Sequence, residues 1–277
     1  MIRTTTALTL LLAAGAATTG AATAGAQATA SGGRETTNNR FEWNGNVPAG
    51  AWVVVRNIMG RVDVTAATGR SASIVGVKRV RRGDSSFVRF YSKPLANGGI
   101  LVCALWGSDS DCDEDGSHSH NNDDNNDGRR NDINVDFTVQ LPAGVNVRAG
   151  NVLGGVDVDG ATAQVEASSV NGDVHARSTG GPVEASTVNG DVRASMRSVG
   201  TGDLEYRTVN GSIELELPAS FSADVELRTV NGDFRTDFPM TMNGRMSPRH
   251  LEGKIGNGGR DLKATTVNGS ITLRKSS

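Results

Sequence analysis

From Val165 onward, apolar and polar side chains alternate in short runs broken by Val-Asn-Gly, with the valine at Val170, Val188, Val209, Val230 and Val267. Successive side chains of a strand point to opposite faces, so each unit predicts two short strands. The first presents Val165/Ala167, Val183/Ala185, Leu204/Tyr206, Val225/Leu227 and Leu262/Ala264 to a core. The second presents Val174/Ala176, Val192/Ala194, Ile213/Leu215, Phe234/Thr236 and Ile271/Leu273. Five residues before each Asn stands an outward Glu166, Glu184, Glu205 or Glu226, and then Lys263. The Asn residues are 18, 21, 21 and 37 apart, the last spacing being read as two coils with one degenerate copy. Such a period means a repeat architecture.

Asn-Gly between alternating strands is also a hairpin signal, so an antiparallel meander competes with a β-solenoid. In a solenoid, equivalent positions of successive coils stack about 4.8 Å apart, which makes identity at every position useful. A meander explains the repeated turn but not the repeated Glu. The expected fold is therefore all-β: a single elongated β-solenoid, parallel β-helix-like, with coils of roughly 18–21 residues, Asn-Gly turns and right-handed crossovers. Asn171, Asn189, Asn210 and Asn231 are expected in one line, each next to the following one. Val188 is expected inside, so that Val188→Asp destabilises.

Composition agrees with this picture. Thirty-five Gly, few aromatics and abundant Val and Thr suit short strands and tight turns. Val47-Pro48-Ala49-Gly50 and Leu141-Pro142-Ala143-Gly144 each lead, twelve residues after the Pro, to a Gly turn at Gly60 or Gly154. Leu217-Pro218-Ala219-Ser220 is a looser copy. One unit type is thus expected over about Phe41 to Leu273, with Ser71–Arg82 and Phe87–Tyr91 as longer strands of its first half. Lys78-Arg79-Val80-Arg81-Arg82 offers a patch for anionic polymers or, as the preferred reading, the solvated face of a strand.

Residues 1–28 read as a secretory signal: Arg3, an apolar stretch from Ala7 to Ala17 too short to span a bilayer, then small-x-small at Ala24 to Ala28. Residues 29–40 are expected to be a flexible segment, and 41–277 the β-repeat domain. No later segment is apolar enough to cross a membrane, and nothing points to nucleic acid; oligomeric state is left open. The compartment is expected to be extracytoplasmic: periplasmic, secreted or cell-surface.

The formal net charge of −2 is unevenly spread, because residues 108–132 carry nine acidic and two basic side chains. This acidic insertion spans 107–132. Cys103 and Cys112, the only two cysteines, are expected to pair at its base. Within it, alternating acids and amides followed by Gly make Asp111, Asp113, Asp115, Asp123, Asn125 and Asp127 candidate calcium ligands. Asn122 and Asn134 stand where an EF-hand has its bidentate Glu, so the alternative is a solvated loop with no packed core. His118 and His120 allow a transition metal, without clear partners. Catalytic motifs of the Gly-x-Ser-x-Gly, His-Glu-x-x-His and phosphate-loop types are missing, and His175 and His250 read as isolated, solvent-facing structural residues.

The Leu-Pro-Ala-Gly phrase followed by a valine-rich strand, then serial Val-Asn-Gly-Asp-Val units after a leader, resembles the bacterial family of β-strand-repeat putative adhesins. The likeness covers roughly residues 41–273, and the Asp/Asn-rich insertion departs from it. What the resemblance implies is a β-helical extracytoplasmic domain of unknown function with no catalytic residues to carry over. The expected role is a non-catalytic surface binding or adhesion module for a cell-surface glycan or envelope protein. A structural spacer of the envelope and a glycan-active β-helix enzyme are the alternatives.

Overall fold

The computed structural model describes residues 34–119, 131–242 and 247–276. The expected signal at 1–28 lies outside the described residues, and the described residues form one compact unit. Its strands are β1 (Arg34–Thr36), β2 (Arg40–Asn46), β3 (Trp52–Arg56), β4 (Val62–Ala66), β5 (Ser71–Arg82), β6 (Val88–Pro94), β7 (Ile100–Trp106), β8 (Ser110–Cys112) and β9 (Ser117–Ser119). After the insertion come β10 (Asp132–Leu141), β11 (Asn146–Gly150), β12 (Val156–Ala161), β13 (Val165–Ser168), β14 (Val174–Ser178), β15 (Val183–Ser186), β16 (Val192–Met196), β17 (Leu204–Arg207) and β18 (Ile213–Leu217). The last are β19 (Ala223–Arg228), β20 (Phe234–Thr236), β21 (Met240–Met242), β22 (His250–Ile255), β23 (Asp261–Thr265) and β24 (Ile271–Lys275).

The two strands flanking each Asn-Gly lie in different sheets, which excludes the meander. One sheet has twelve strands, in the order β1-β6-β7-β3-β11-β13-β15-β17-β23-β19-β22-β21. The other has ten, in the order β2-β5-β10-β4-β12-β14-β16-β18-β24-β20. From β3 to β19 and from β4 to β20 every neighbour is parallel and like meets like: Val165 on Val183, Glu166 on Glu184, Ala176 on Ala194. The inward residues of both sheets, mostly Val, Ala, Ile and Leu, form one continuous buried core.

Backbone polar groups at each turn are satisfied by the neighbouring coil. A buried hydroxyl heads the turn, and Ser169, Thr187, Thr208, Thr266 and Thr229 donate to the carbonyls of Gly154, Gly172, Gly190, Gly211 and Gly269, all at 2.8–2.9 Å. Asn151 does the same through Nδ2 to Gly60 O at 2.7 Å. Next to this row the Asn side chains form an amide ladder. Asn189 donates to Asn171, Asn210 to Asn189, Asn268 to Asn210 and Asn231 to Asn268, at 2.7–2.8 Å.

Several expectations are corrected. Asn231 does not follow Asn210, because Asn268 lies between them. The 37-residue spacing is no pair of coils: β21 and β22 form an antiparallel hairpin on β19, and the chain then returns to insert β23 and β24. Val188 is not inside. It is 40% exposed, while Thr187 is buried, because alternation continues through the turn and turns the residue before each Asn outward. Residues 71–141 are not coils of the common type. The coil of β3 and β4 stacks directly on that of β11 and β12, and β5, β6, β7 and β10 form a partly antiparallel cap beyond it. The sheets begin at Arg34, within the stretch expected to be flexible, where β1 pairs with β6.

The cap is filled by Phe41, Phe90 and Phe137, with neighbouring ring centroids 5.4 and 5.9 Å apart. Gly76 leaves room for them, since a Cβ there would stand 2.6 Å from the Phe90 ring and 2.8 Å from that of Phe137. Lys78 was expected on a solvated face, yet it points inward on the same face as Ile74 and Gly76. It is 6% exposed, with Nζ 2.7 Å from Thr37 O, 2.8 Å from Ser85 O and 5.4 Å from the Phe90 ring centre. Burial lowers its pKa. Only Arg79, Val80, Arg81 and Arg82 of that run are exposed.

Candidate functional site

The outer face of the twelve-stranded sheet carries two rows of side chains that follow from register alone. One runs Val54, Arg148, Glu166, Glu184, Glu205, Lys263, Glu226, Glu252. The other runs Arg56, Gly150, Ser168, Ser186, Arg207, Thr265, Arg228, His250. Lys263, the one break in the Glu series, sits between Glu205 and Glu226 and separates two like charges that would otherwise be adjacent.

The first rows enclose a groove of about 540 Å³, lined by Arg56, Arg148, Glu166, Glu184, Glu205 and Arg207, with Ser168 and Ser186 in its floor and Asp115 overhanging it. Arg148 pairs with Glu166, and its guanidinium lies 5.0 Å from the Trp52 ring centre. Arg207 pairs with Glu205. Glu184, half-buried between these two carboxylates, forms no ion pair among the described residues. Its desolvation, together with Glu166 and Glu205, raises its pKa. At the other end, burial and the nearby Arg148 lower the pKa of Arg56, whose Nη2 donates to the Glu114 carbonyl.

The raised pKa has a testable sign. A carboxyl whose folded pKa lies above its unfolded value is held uncharged more readily by the fold, so its ionised form costs stability at neutral pH. That cost disappears as pH falls through the folded pKa. Glu184→Gln should raise the melting temperature by about 2 °C at pH 7 and by nothing near pH 3. Thermal denaturation at the two pH values checks this.

The β8–β9 hairpin, which carries Asp115, lies at the head of the groove. Residues Val54, Leu101, Cys103 and Leu105 are buried on the outer side of β3 and β7, in a second apolar cluster with Trp52, Tyr91, Leu95 and Cys112. The continuous runs Val53-Val54-Val55 and Ile100–Leu105 are thus strands covered on both faces. Cys103 and Cys112 form the expected disulfide, tying β7 to the β8–β9 hairpin. Cys112→Ser with Cys103→Ser should cost about 2.5 kcal/mol in the chain-entropy model for so short a loop. Chemical denaturation of the double variant measures it, and loss of the cover should also raise dye binding to the cluster.

Of the six residues expected to hold calcium, Asp123, Asn125 and Asp127 lie outside the described residues, as does His120. Asp111, Asp113 and Asp115 are on the β8–β9 hairpin, and the carboxylates of Asp113 and Asp115 face other partners. Asp113 Oδ1 accepts the N–H groups of Asp115 and Gly116 at 2.8 and 2.9 Å, which lowers its pKa, and its Oδ2 is 3.3 Å from His118 Nε2. Asp115 faces Arg56 and Arg148. These contacts would have to be exchanged for metal.

His175 and His250, expected to be isolated, both stand among charges. His175 lies between Arg193 Nη1, 2.7 Å from its Nε2, and Asp157, 3.7 Å from its Nδ1, on the outer face of the ten-stranded sheet. His250 Nε2 is 3.0 Å from Glu252 and 3.4 Å from Glu226. Among the described residues, these three ligand atoms lie within 4.8 Å of one another. Sequence alone misses both arrangements because the partners come from neighbouring strands.

Fold and face together define a protein of the two-sheet, parallel, β-solenoid-like class. Residues 152–274 match the family model described as Toastrack DUF4097. No curated protein matches the chain in sequence. Among solved structures, a crystal structure described as "a putative cell adhesion protein from Clostridium sporogenes" is 10% identical, with 86% of this chain and all of that one covered at a TM-score of 0.40. Another, described as "a putative adhesin" from Bacteroides fragilis, is 12% identical, with 86% and 97% covered at a TM-score of 0.27. No helix of the described residues is long and apolar enough to cross a membrane.

Proposed function

We propose that the protein is a non-catalytic, extracytoplasmic binding module whose groove on the twelve-stranded sheet takes an extended, hydroxyl-rich polymer, a cell-surface or envelope glycan. One observation carries this reading: Glu184 stands half-buried between two Arg-paired carboxylates and forms no ion pair of its own among the described residues. Residues that violate local optimisation mark sites where something else is selected. A carboxylate flanked by Arg and Ser matches hydroxyl groups, which both donate and accept, and stacked coils give a long face suited to an extended partner. Register steps of 18 residues between Val165 and Val183 and 21 between Ala185 and Tyr206 support coils of that size, turned at Asn-Gly. The disulfide supports an oxidising compartment.

The test is retention of the purified protein on a panel of glycans and envelope fractions, alongside Glu184→Gln. Selective binding that weakens at least about tenfold in a variant more stable than the parent at pH 7 supports the module, tenfold being about 1.4 kcal/mol. No selective binding, or binding indifferent to Glu184, rejects it in favour of an envelope spacer. Calcium belongs to this proposal as a ligand of the insertion, supported by the Asp alternation from Asp111 to Asp115. Calorimetric titration into chelator-treated protein should show heat at millimolar calcium that is lost in Asp113→Ala; heat of dilution alone rejects the site.

A further inference from the structure

The repeat formed by β23 and β24 is out of chain order in the stack. β23 pairs in parallel with β17 on one side and β19 on the other, and β24 with β18 and β20. The coils 204–217 and 223–236, consecutive in the chain, are held apart by a coil that follows both. Between them is a slot with four strand edges, filled by residues 261–275.

The slot is specific for that segment at every level. Leu262, Ala264, Ile271 and Leu273 are wholly buried. Asn268 relays the amide ladder, donating to Asn210 at 2.7 Å and accepting from Asn231 at 2.8 Å. The Thr266 hydroxyl reaches Gly211 O at 2.8 Å, and Gly269 O receives that of Thr229 at 2.9 Å. Lys263 lies between Glu205 and Glu226, where the repeat elsewhere has Glu. None of these contacts requires the inserted coil to belong to the same chain. Its lead-in carries Gly256, Gly258 and Gly259 at φ 58°, 73° and 121°, a hinge that can change direction without side-chain strain.

We propose that the coil 261–275 is exchangeable: the slot accepts the same coil from a second copy of this chain, and two chains complete each other's stack reciprocally. Reciprocity closes the assembly as a two-fold dimer. Because four edges must open first, exchange is slow at rest and proceeds when the coil is loosened at high protein concentration.

Ser270 N donates to Ser212 Oγ at 3.2 Å across the inner boundary of the slot, which places a reporter pair. Full-length Ser212→Cys/Ser270→Cys protein is held a few degrees below its melting midpoint at high concentration, cooled, and then oxidised. The expected result is a doubled mass by light scattering and a disulfide-linked dimer on a denaturing, non-reducing gel. Oxidation before incubation should lock the coil within its own chain and prevent dimers. A chain that stays monomeric, or a dimer whose oxidised form runs as a monomer, overturns the proposal. A cysteine-free measurement uses Lys263→Glu mixed with Glu205→Lys/Glu226→Lys. Exchange predicts heterodimers in excess over either homodimer, and a random distribution or none overturns it.

Discussion

Gly211→Ala should lower stability by about 3 kcal/mol or more, a melting shift of roughly 6–12 °C for a body of this size. A Cβ at Gly211 would fall inside the carbonyl group of Gly190, 2.5 Å from its carbon and nearer still to its oxygen, and would also stand 3.1 Å from Asp191 N. All three are backbone atoms of the stacked coil, so no rotamer change relieves the overlap. The same carbonyl accepts the Thr208 hydroxyl, so moving it away breaks that bond too. The glycine of each Asn-Gly is therefore required by the close approach of the next coil. Gly69→Ala, at a position where nothing lies within 4 Å, is the control and should be nearly silent.

The second large effect is a contrast between two valines four residues apart. Val192→Asp buries an unpaired carboxylate at a fully buried position and should cost more than about 4 kcal/mol. Val188→Asp changes a side chain that is 40% exposed and should stay within about 1 kcal/mol of the parent. Denaturation of both variants checks the pair, and equal losses would place Val188 inside after all.

Val188 also shows what can be read from the chain and what cannot. The strands, their inward faces and the parallel stacking follow from alternation and from identity between repeats. The orientation of Val188 was legible by the same parity, since Thr187 shares the face of Val183 and Ala185, but an apolar residue invites assignment to the core. The hydroxyl row at Ser169, Thr187, Thr208, Thr229 and Thr266 is visible as a repeat two residues before each Asn, although its partners are carbonyls of another coil. The order of coils is a different matter. Repetition tells which positions are equivalent, not which coils are adjacent, and only Lys263 hinted that Glu205 and Glu226 have a cation between them. In the groove, Glu166, Glu184 and Glu205 were legible as a ladder. The roles of Arg56 and Asp115 were not, because the β8–β9 hairpin that brings them together lies across strands distant in sequence.

The two ends of the stack differ in how they meet a neighbouring molecule. At one end Lys78 places an ammonium between backbone carbonyls behind the outermost strands, and β1 and β2 terminate their sheets antiparallel to the strands they join. At the other, the ten-stranded sheet stops at β20, which is only three residues long. A parallel stack with bare, regular ends is a template for fibrous growth. Here antiparallel strands that end the parallel stack at one terminus and a strand of three residues at the opposite one should keep such a repetitive sequence from polymerising end to end.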